Sequence, residues 1–358
     1  VRVLVLTTAA SWTPGIRLLI ALGAELAARG DIVTVACPGG GMLERSTEFW
    51  FPRLALRGLA GPGAFARIAS ARGLVSALRP DAVLVQSETD ALLAAMAIGR
   101  RGGVVRRWRV GESAPDRQPA PRTWRTRLAE SRTRVVSWGR DQVAVSWPGP
   151  AVRGAPVALP SDAAVPAALW IVPPAEHDEP TAMALRAAAR LAGRHPSLRI
   201  VLLGEPAALQ STRVHAASLG LTAFVHVAPI DALLLADAVD AAAVWVTADG
   251  DEGAIATLAA MQRGIPVVAP ATALHASMVA SRITGFVVSD REVPATVAEL
   301  ARLMSDRREY DLMGQAARAR AAHVHDWAQC VDDAARALSQ ASGARAVSAA
   351  IRATPASA

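Results

Sequence analysis

The 358-residue chain has no lysine and no asparagine, two cysteines, a single tyrosine, and aromatic residues at only 4%. Each shortage excludes something. Cys37 and Cys330 are too few for a disulfide framework or a thiolate metal cluster. The seven histidines show no metal-ligand spacing, HVHD at His323–Asp326 included, so no metal is expected. No apolar run reaches the roughly 18 residues of a membrane span. Asp or Pro interrupts the longest of them, such as ALLLADAVDAAAVWV. The opening VRVLVLTTAA lacks the charged region, apolar core and cleavage site of a secretory signal and reads as a first strand. These absences lead to the expectation of a cytoplasmic protein. The GGG at Gly39–Gly41 lacks the dinucleotide fingerprint. No serine lies in a Gly-x-Ser-x-Gly elbow, so neither an oxidoreductase nor a hydrolase is indicated. All 38 basic residues are arginine against 31 acids, a net charge of +7. The arginines are spread along the chain, apart from a denser stretch over 100–140, and no nucleic acid is expected as partner. With the abundance of Ala, Gly and Pro, this arginine bias fits a GC-rich coding sequence.

What the chain has is regular alternation. At 52% hydrophobic and 19% charged residues it is globular, and its length allows two domains. Short apolar strands alternate with helical patterns, which argues for parallel sheets built from βαβ units. VRVLVL opens the series, followed by a helix over Gly15–Arg29, the strand DIVTVAC, and strands at Ala82–Gln86 and Val104–Val110. RTRLAESRTRVVSW reads as mostly helical, and Gln142–Ser146 as a strand closing the first half. The proline-rich segment Trp147–Ala168 marks the crossing between domains. A second series follows: ALWIV, a helix over Thr181–Gly193, RIVLL, a helix ending near Leu219, FVHV, a short helix, AAVWV, IPVVA and GFVVSD. Residues from Val293 to about Ser342 read as helix. The expected division is residues 1–160 and 161–325 as two Rossmann-like domains, 326–342 as a helix crossing back to the first, and 343–358 as a flexible tail.

Two doubly wound α/β domains facing a cleft place ligands at the carboxyl ends of their strands. The segment VTADGDEGAIATLAAMQRGIPVVAP, Val246–Pro270, puts three acids between a buried strand and a helix at such an end. TTAASWTPG, QSETD and RVGES occupy the equivalent places in the first half. Asp249, Asp251 and Glu252 there serve a ligand or cap the helix, and both readings remain open.

GRHPSLRIVLLGEP, DEGAIATLAAMQRGIPVVA and SRITGFVVSDREVPATVAELARLMSDRREYDLMGQAARARAAHVHDWAQCV together resemble the C-terminal domain of GT-B fold glycosyltransferases, in particular the retaining group numbered family 4. The resemblance covers Gly193–Ser342 best and extends more weakly over Val1–Gly41 and Gln142–Asp162. It implies transfer of a hexose from a nucleoside-diphosphate sugar, with retention, no metal and no cofactor beyond that co-substrate. The implied acceptor is a saccharide, a lipid-linked molecule or a small molecule. By alignment Asp251, with Glu252 beside it, takes the place of the family's first donor-site Glu, and these two are the implied catalytic pair. Asp249, Gly250 and Gly253 surround them as donor-binding residues. Gly15, in the turn TPG, stands where the family has a glycine loop near the donor phosphates, and Arg17, Arg107 and Arg109 are the candidate cations. The resemblance also has gaps. The family's second Glu falls on Ala259, its phosphate-binding Arg and Lys on Pro174 and Glu179, and a further Glu on Ser277. A His expected after the fourth strand is replaced by the neighbourhood of Arg107 and Arg109. The alternative these gaps leave open is an inactive pseudo-glycosyltransferase that binds or stabilises a protein partner. A weak peripheral contact with anionic membrane, through Trp108, Trp124 and Trp138, is the last partner class considered.

Overall fold

The computed structural model describes residues 1–9, 14–40, 43–44, 47, 54–59, 63–98, 103–107, 134–138, 168–174, 179–204, 206–228, 241–248, 250–289, 293–324 and 327–342. The chain divides into two units, Val1–Gln142 with Ala328–Ala358, and Val143–Trp327.

The first unit comprises β1 (Arg2–Leu6), α1 (Pro14–Ala28), β2 (Ile32–Pro38), β3 (Ala55–Leu59), α2 (Ala64–Leu78), β4 (Ala82–Val85), α3 (Glu88–Ile98), β5 (Gly103–Arg107) and β6 (Arg134–Trp138). All six strands are parallel, in the order β3-β2-β1-β4-β5-β6. Val3–Leu6 and Ala82–Val85 are buried along their whole length. That explains apolar runs without alternation: a parallel sheet carries helices on both faces, so neither face can be polar. Pro14 opens α1, where its missing N–H costs nothing.

The second unit repeats the plan with β7 (Ala168–Val172), α4 (Glu179–Ala192), β8 (Arg199–Leu203), α5 (Gln210–Ser218), β9 (Val225–Ala228), β10 (Ala241–Val246), α6 (Gly250–Arg263), β11 (Val267–Pro270), α7 (Ala273–Met278), β12 (Gly285–Val288), α8 (Val293–Ser305) and α9 (Arg307–Val324). Its parallel order is β12-β11-β10-β7-β8-β9. One core cluster holds Ile171, Trp245 and Val268 from the sheet and Leu185, Leu191 and Leu300 from the helices. Each such aliphatic side chain contributes about 1.5–3 kcal/mol by leaving water. Tyr310, the sole tyrosine, is buried and its hydroxyl donates to Ala241 O at 2.9 Å. Desolvation pushes that phenol up to about 12.

The last helix, α10 (Trp327–Ala341), groups with the first unit apart from its leading residue. Cys330, Val331, Ala334, Ala337, Leu338 and Ala341 form its buried stripe at helical spacing. Asp332 pairs with Arg29, and Gly103 lies so close that a Cβ there would stand 2.2 Å from Ala341 O.

Three expectations need correction. Arg134–Trp138, expected as part of a helix, is strand β6, paired residue for residue with β5 from Gly103↔Arg134 to Arg107↔Trp138. Its central Val135 and Val136 suit a strand, and the sheet edge overrides the helical propensity of the residues before them. Strand β3 has no counterpart in the sequence reading, because it is an edge strand exposed at Ala55, Arg57 and Gly58 and has no buried alternation to reveal it. The C-terminal helical stretch is three helices, with Asp306 capping α9 through Glu309 N–H at 3.0 Å. The strand expected at Gln142–Ser146 and the short helix after FVHV lie outside the described residues.

Candidate active site

In the second unit the winding direction reverses between β7 and β10, whose crossovers lead to opposite edges of the sheet. The carboxyl ends of two such strands splay and leave a crevice, the usual ligand position in an open parallel sheet. β7 ends in Val172, followed by the buried Pro173 and the half-buried Pro174, and β10 ends in Val246, with Thr247 and Ala248 after it. Thr247 N–H and Ala248 N–H both donate to Val172 O, at 2.9 and 3.0 Å. The Thr247 hydroxyl lies 3.2 Å from the same oxygen and 2.8 Å from the Thr181 hydroxyl on α4, both threonines being buried. A polar knot, closed to water, thus fixes the floor of the crevice.

From that floor the chain enters α6 through Gly250, whose φ of 65° lies in the left-handed region that favours glycine. Three residues on, Gly253 sits against the strand end. A Cβ there would stand 2.0 Å from Ala248 O and 3.3 Å from Nε2 of His275. His275 is fully buried on α7, where Thr272 caps the helix by accepting from His275 N–H at 3.3 Å. The Thr272 hydroxyl also lies 3.0 Å from His275 Nδ1. The imidazole and the strand carbonyl therefore hold the first turn of α6 from two sides.

Glu252 occupies that turn, half-buried. Burial raises its carboxyl above the usual carboxylate range. No hydrogen bond or ion pair joins it to another described residue. A carboxylate in this position gains by accepting from ligand hydroxyls, while the unpaired N–H groups of the helix end suit an anion.

The sequence-derived candidates fall as follows. Gly250, Asp251, Glu252 and Gly253 share the first turn of α6, and Asp249 precedes it, outside the described residues. Gly15 is buried in the first turn of α1, Arg17 follows in the same helix, and Arg107 ends β5. Arg109 lies outside the described residues. Of the aligned positions, Ala259 is 2% exposed within α6. Glu179 is exposed in the first turn of α4 and pairs with Arg186, and Ser277 donates to Leu274 O at 2.6 Å. Among the described residues no three His, Cys, Asp or Glu converge as a metal-holding group.

The sequence reading passed over two features. The Thr181–Thr247 pair leaves no trace in sequence spacing, since the partners stand 66 residues apart. The second lies in the first unit, where the order reverses between β1 and β4. There the buried Asp90 of α3 accepts from Thr8 N–H at 2.9 Å and Thr8 Oγ1 at 2.7 Å, while Ser87 Oγ caps Asp90 N–H at 2.9 Å. The Ser87–Asp90 spacing is that of a capping box and was a legible signal.

Residues 174–320, which contain β10, α6 and α7, match the family model described as Glycosyl transferases group 1. The match lies within the second unit. Solved structures extend the likeness to both units and give the chain the GT-B fold. Sucrose-phosphate synthase from Thermosynechococcus elongatus is 14% identical with a TM-score of 0.67, over 96% of this chain and 99% of that one. Anabaena HepE in complex with UDP and glucose is 14% identical at 0.66, over 95% and 99%. A glycosyltransferase from Rickettsia africae is 11% identical at 0.66, over 95% and 98%. A search of curated proteins finds no match. The chain thus resembles group 1 glycosyltransferases over residues 174–320 and shares the fold of these solved structures over nearly its whole length. Among the described residues no helix is long and apolar enough to cross a membrane.

Proposed function

We propose that this GT-B protein transfers a hexose, with retention, from a nucleoside-diphosphate sugar to a saccharide, lipid-linked or small-molecule acceptor in the cytoplasm, without metal or further cofactor. The observation that carries the reading is the first turn of α6. It leaves the crevice floor in the group 1 domain with a half-buried Glu252 that no described side chain satisfies. HepE, of the same fold, holds UDP and glucose.

In this reading the N–H groups at the start of α6 face the diphosphate, whose negative charge grows as the glycosidic bond breaks. Asp251 and Glu252 accept from hydroxyls of the donor sugar and fix its orientation, which supplies rate by positioning. Asp249, Gly250 and Gly253 belong to the same donor contact, Gly253 by letting the turn sit against Ala248 O. Gly15, Arg17, Arg107 and Arg109 are assigned to the phosphates, with the arginines as the cations the leaving group requires.

The test is a thermal-shift panel with UDP, GDP, ADP and TDP and their sugar conjugates. A ligand at a hundred times its Kd stabilises the folded state by about 2.7 kcal/mol. For a unit of this size that is a rise of roughly 5–10 °C. A base-specific shift that Asp251→Ala with Glu252→Ala abolishes is expected. No shift with any nucleotide overturns the reading.

A further inference from the structure

Asp90 is the only Asp or Glu buried among the described residues, at 2% exposure. No described cation pairs with it, and a carboxylate taken from water is costly unless hydrogen bonds offset the loss. It stands in the first turn of α3, three residues after Ser87, whose Oγ accepts from Asp90 N–H at 2.9 Å. An acid at that spacing usually turns back onto the N-cap of its own helix. Asp90 instead reaches across the reversal between β4 and β1, where an open parallel sheet leaves its crevice. There its Oδ1 accepts from Thr8 N–H at 2.9 Å and from Thr8 Oγ1 at 2.7 Å. Thr8 lies just beyond the end of β1, and its neighbours are tied as well. Thr7 N–H donates to Ala36 O on β2 at 3.0 Å, and Ala9 N–H to the buried Thr7 hydroxyl at 3.1 Å. The exit of β1 is thus fixed residue by residue. At the far end of the same connection α1 begins at Pro14, with Gly15 buried in its first turn and Ile16, Leu18 and Leu19 packed into the core.

We infer that Asp90 is a positioning residue for the donor phosphates: through Thr8 it sets the connection from β1 to α1 in the form that presents Gly15, before any ligand arrives. The inference rests on the assignment of Gly15 to those phosphates. A carboxylate is a poor direct partner for a diphosphate, since like charges repel, so Asp90 acts through Thr8 and not on the ligand. Its geometry suits that role. Two bonds to one oxygen hold both the backbone and the side chain of Thr8, so the strand exit cannot rotate without breaking both. A charged acceptor makes each of them stronger than a bond between neutral groups. A connection already ordered loses less freedom when a ligand binds, and the difference appears as affinity. Freeing the backbone of one residue there weakens nucleotide binding about tenfold.

The test is calorimetric titration of the full chain with UDP, GDP, ADP and TDP, together with hydrogen exchange of the nucleotide-free protein. Asp90→Ala weakens the nucleotide that the wild type binds about tenfold, and Thr8→Val, which breaks one of the two bonds, about threefold. Asp90→Asn keeps an accepting oxygen and Thr8→Ser keeps both donors, so each restores the affinity. Without nucleotide, Asp90→Ala speeds exchange at Thr8, Ala9 and Gly15 and leaves β4 unchanged. Where Asp90→Ala does not fold, Thr8→Val decides, because its side chain has the same shape and one amide bond to Asp90 remains. Unchanged affinity in Thr8→Val overturns the inference, as does an equal loss in Thr8→Ser, which marks a role in packing alone. A wild type that binds none of the four nucleotides overturns the donor reading instead. Exchange then decides the rest: faster exchange at Ala9 and Gly15 in Asp90→Ala upholds Asp90 as the holder of the connection, and unaltered rates overturn it.

Discussion

Replacing Gly253 by alanine places a methyl carbon 2.0 Å from Ala248 O and 3.3 Å from His275 Nε2. Carbon and oxygen pack no closer than about 3 Å, so the first contact is short by roughly 1 Å, deep in the repulsive wall. Neither neighbour can swing away easily. The oxygen is backbone at the end of β10, where Ala248 N–H is bonded to Val172 O, and the imidazole is fully buried beside Thr272. The first turn of α6 must lift instead. Overpacking of this kind costs typically 1–3 kcal/mol, and a methyl driven against a fixed backbone oxygen belongs at about 3 kcal/mol or beyond. For a unit of about 185 residues that lowers the midpoint by roughly 6–12 °C. Gly73→Ala on the exposed side of α2 is the control. It meets nothing within 4 Å and removes a helix-interior glycine, a gain of about 0.5–1 kcal/mol. Thermal unfolding of both variants, followed by the nucleotide shift of whatever Gly253→Ala protein remains folded, separates the effects. A Gly253→Ala protein with wild-type midpoint and wild-type nucleotide shift refutes the packing argument and the site built on it.

Three further outcomes are expected. Glu252→Gln raises the midpoint at neutral pH while abolishing transfer. Its carboxyl is raised in the folded state, so ionising it costs stability as pH climbs from the unfolded value of 4.5 through the folded one; midpoints against pH for both proteins should converge at acid pH and diverge above it. Tyr310→Phe leaves Ala241 O without its 2.9 Å donor inside the core and costs about 1–3 kcal/mol by chemical denaturation. Because the chain has one tyrosine, ultraviolet titration of the native protein should show no phenolate until about pH 12, and stability should fall between 10 and 12 as only the unfolded state ionises; a native phenolate at the ordinary value contradicts the burial. Gly103→Ala sets a methyl 2.2 Å from Ala341 O and should loosen α10, read as faster hydrogen exchange over Trp327–Ala341.

The strands most plainly legible in the sequence were those buried on both faces. VRVLVL, ALWIV and AAAVWV are uniform apolar runs because helices cover both sides of the sheet, and that pattern cannot be mistaken for solvated surface. Of the four edge strands, β9 and β12 were legible as FVHV and GFVVSD, whereas β3 is largely exposed and β6 follows a run of helix-forming residues. The first turn of α6 was legible for a similar reason: a buried strand that stops at acids and glycines needs something polar at its end. What held that turn was legible only in part. His275 reads as a loop histidine after VVAP that faces a cleft, and the structure places it on α7 against Gly253, while Thr181 reads as a helix residue until Thr247 meets its hydroxyl.

The gaps in the family resemblance take on physical content in the same way. Glu179, at a position where the resemblance implies a cation, is exposed in the first turn of α4, with the helix N-terminus behind it and Arg186 beside it. Both the dipole and the guanidinium offset its charge. Ala259, in the place of the family's second acid, stands in a stretch of α6 whose residues from Ala254 to Met261 are buried on every side. A carboxylate introduced there would lose its hydration without a described partner, a cost of several kcal/mol. Among the described side chains of α6, Glu252 in the first turn is the acid with access to water. If this helix recognises a sugar nucleotide, Asp251 and Glu252 are where it must do so, and recognition of the ribose falls to residues outside α6.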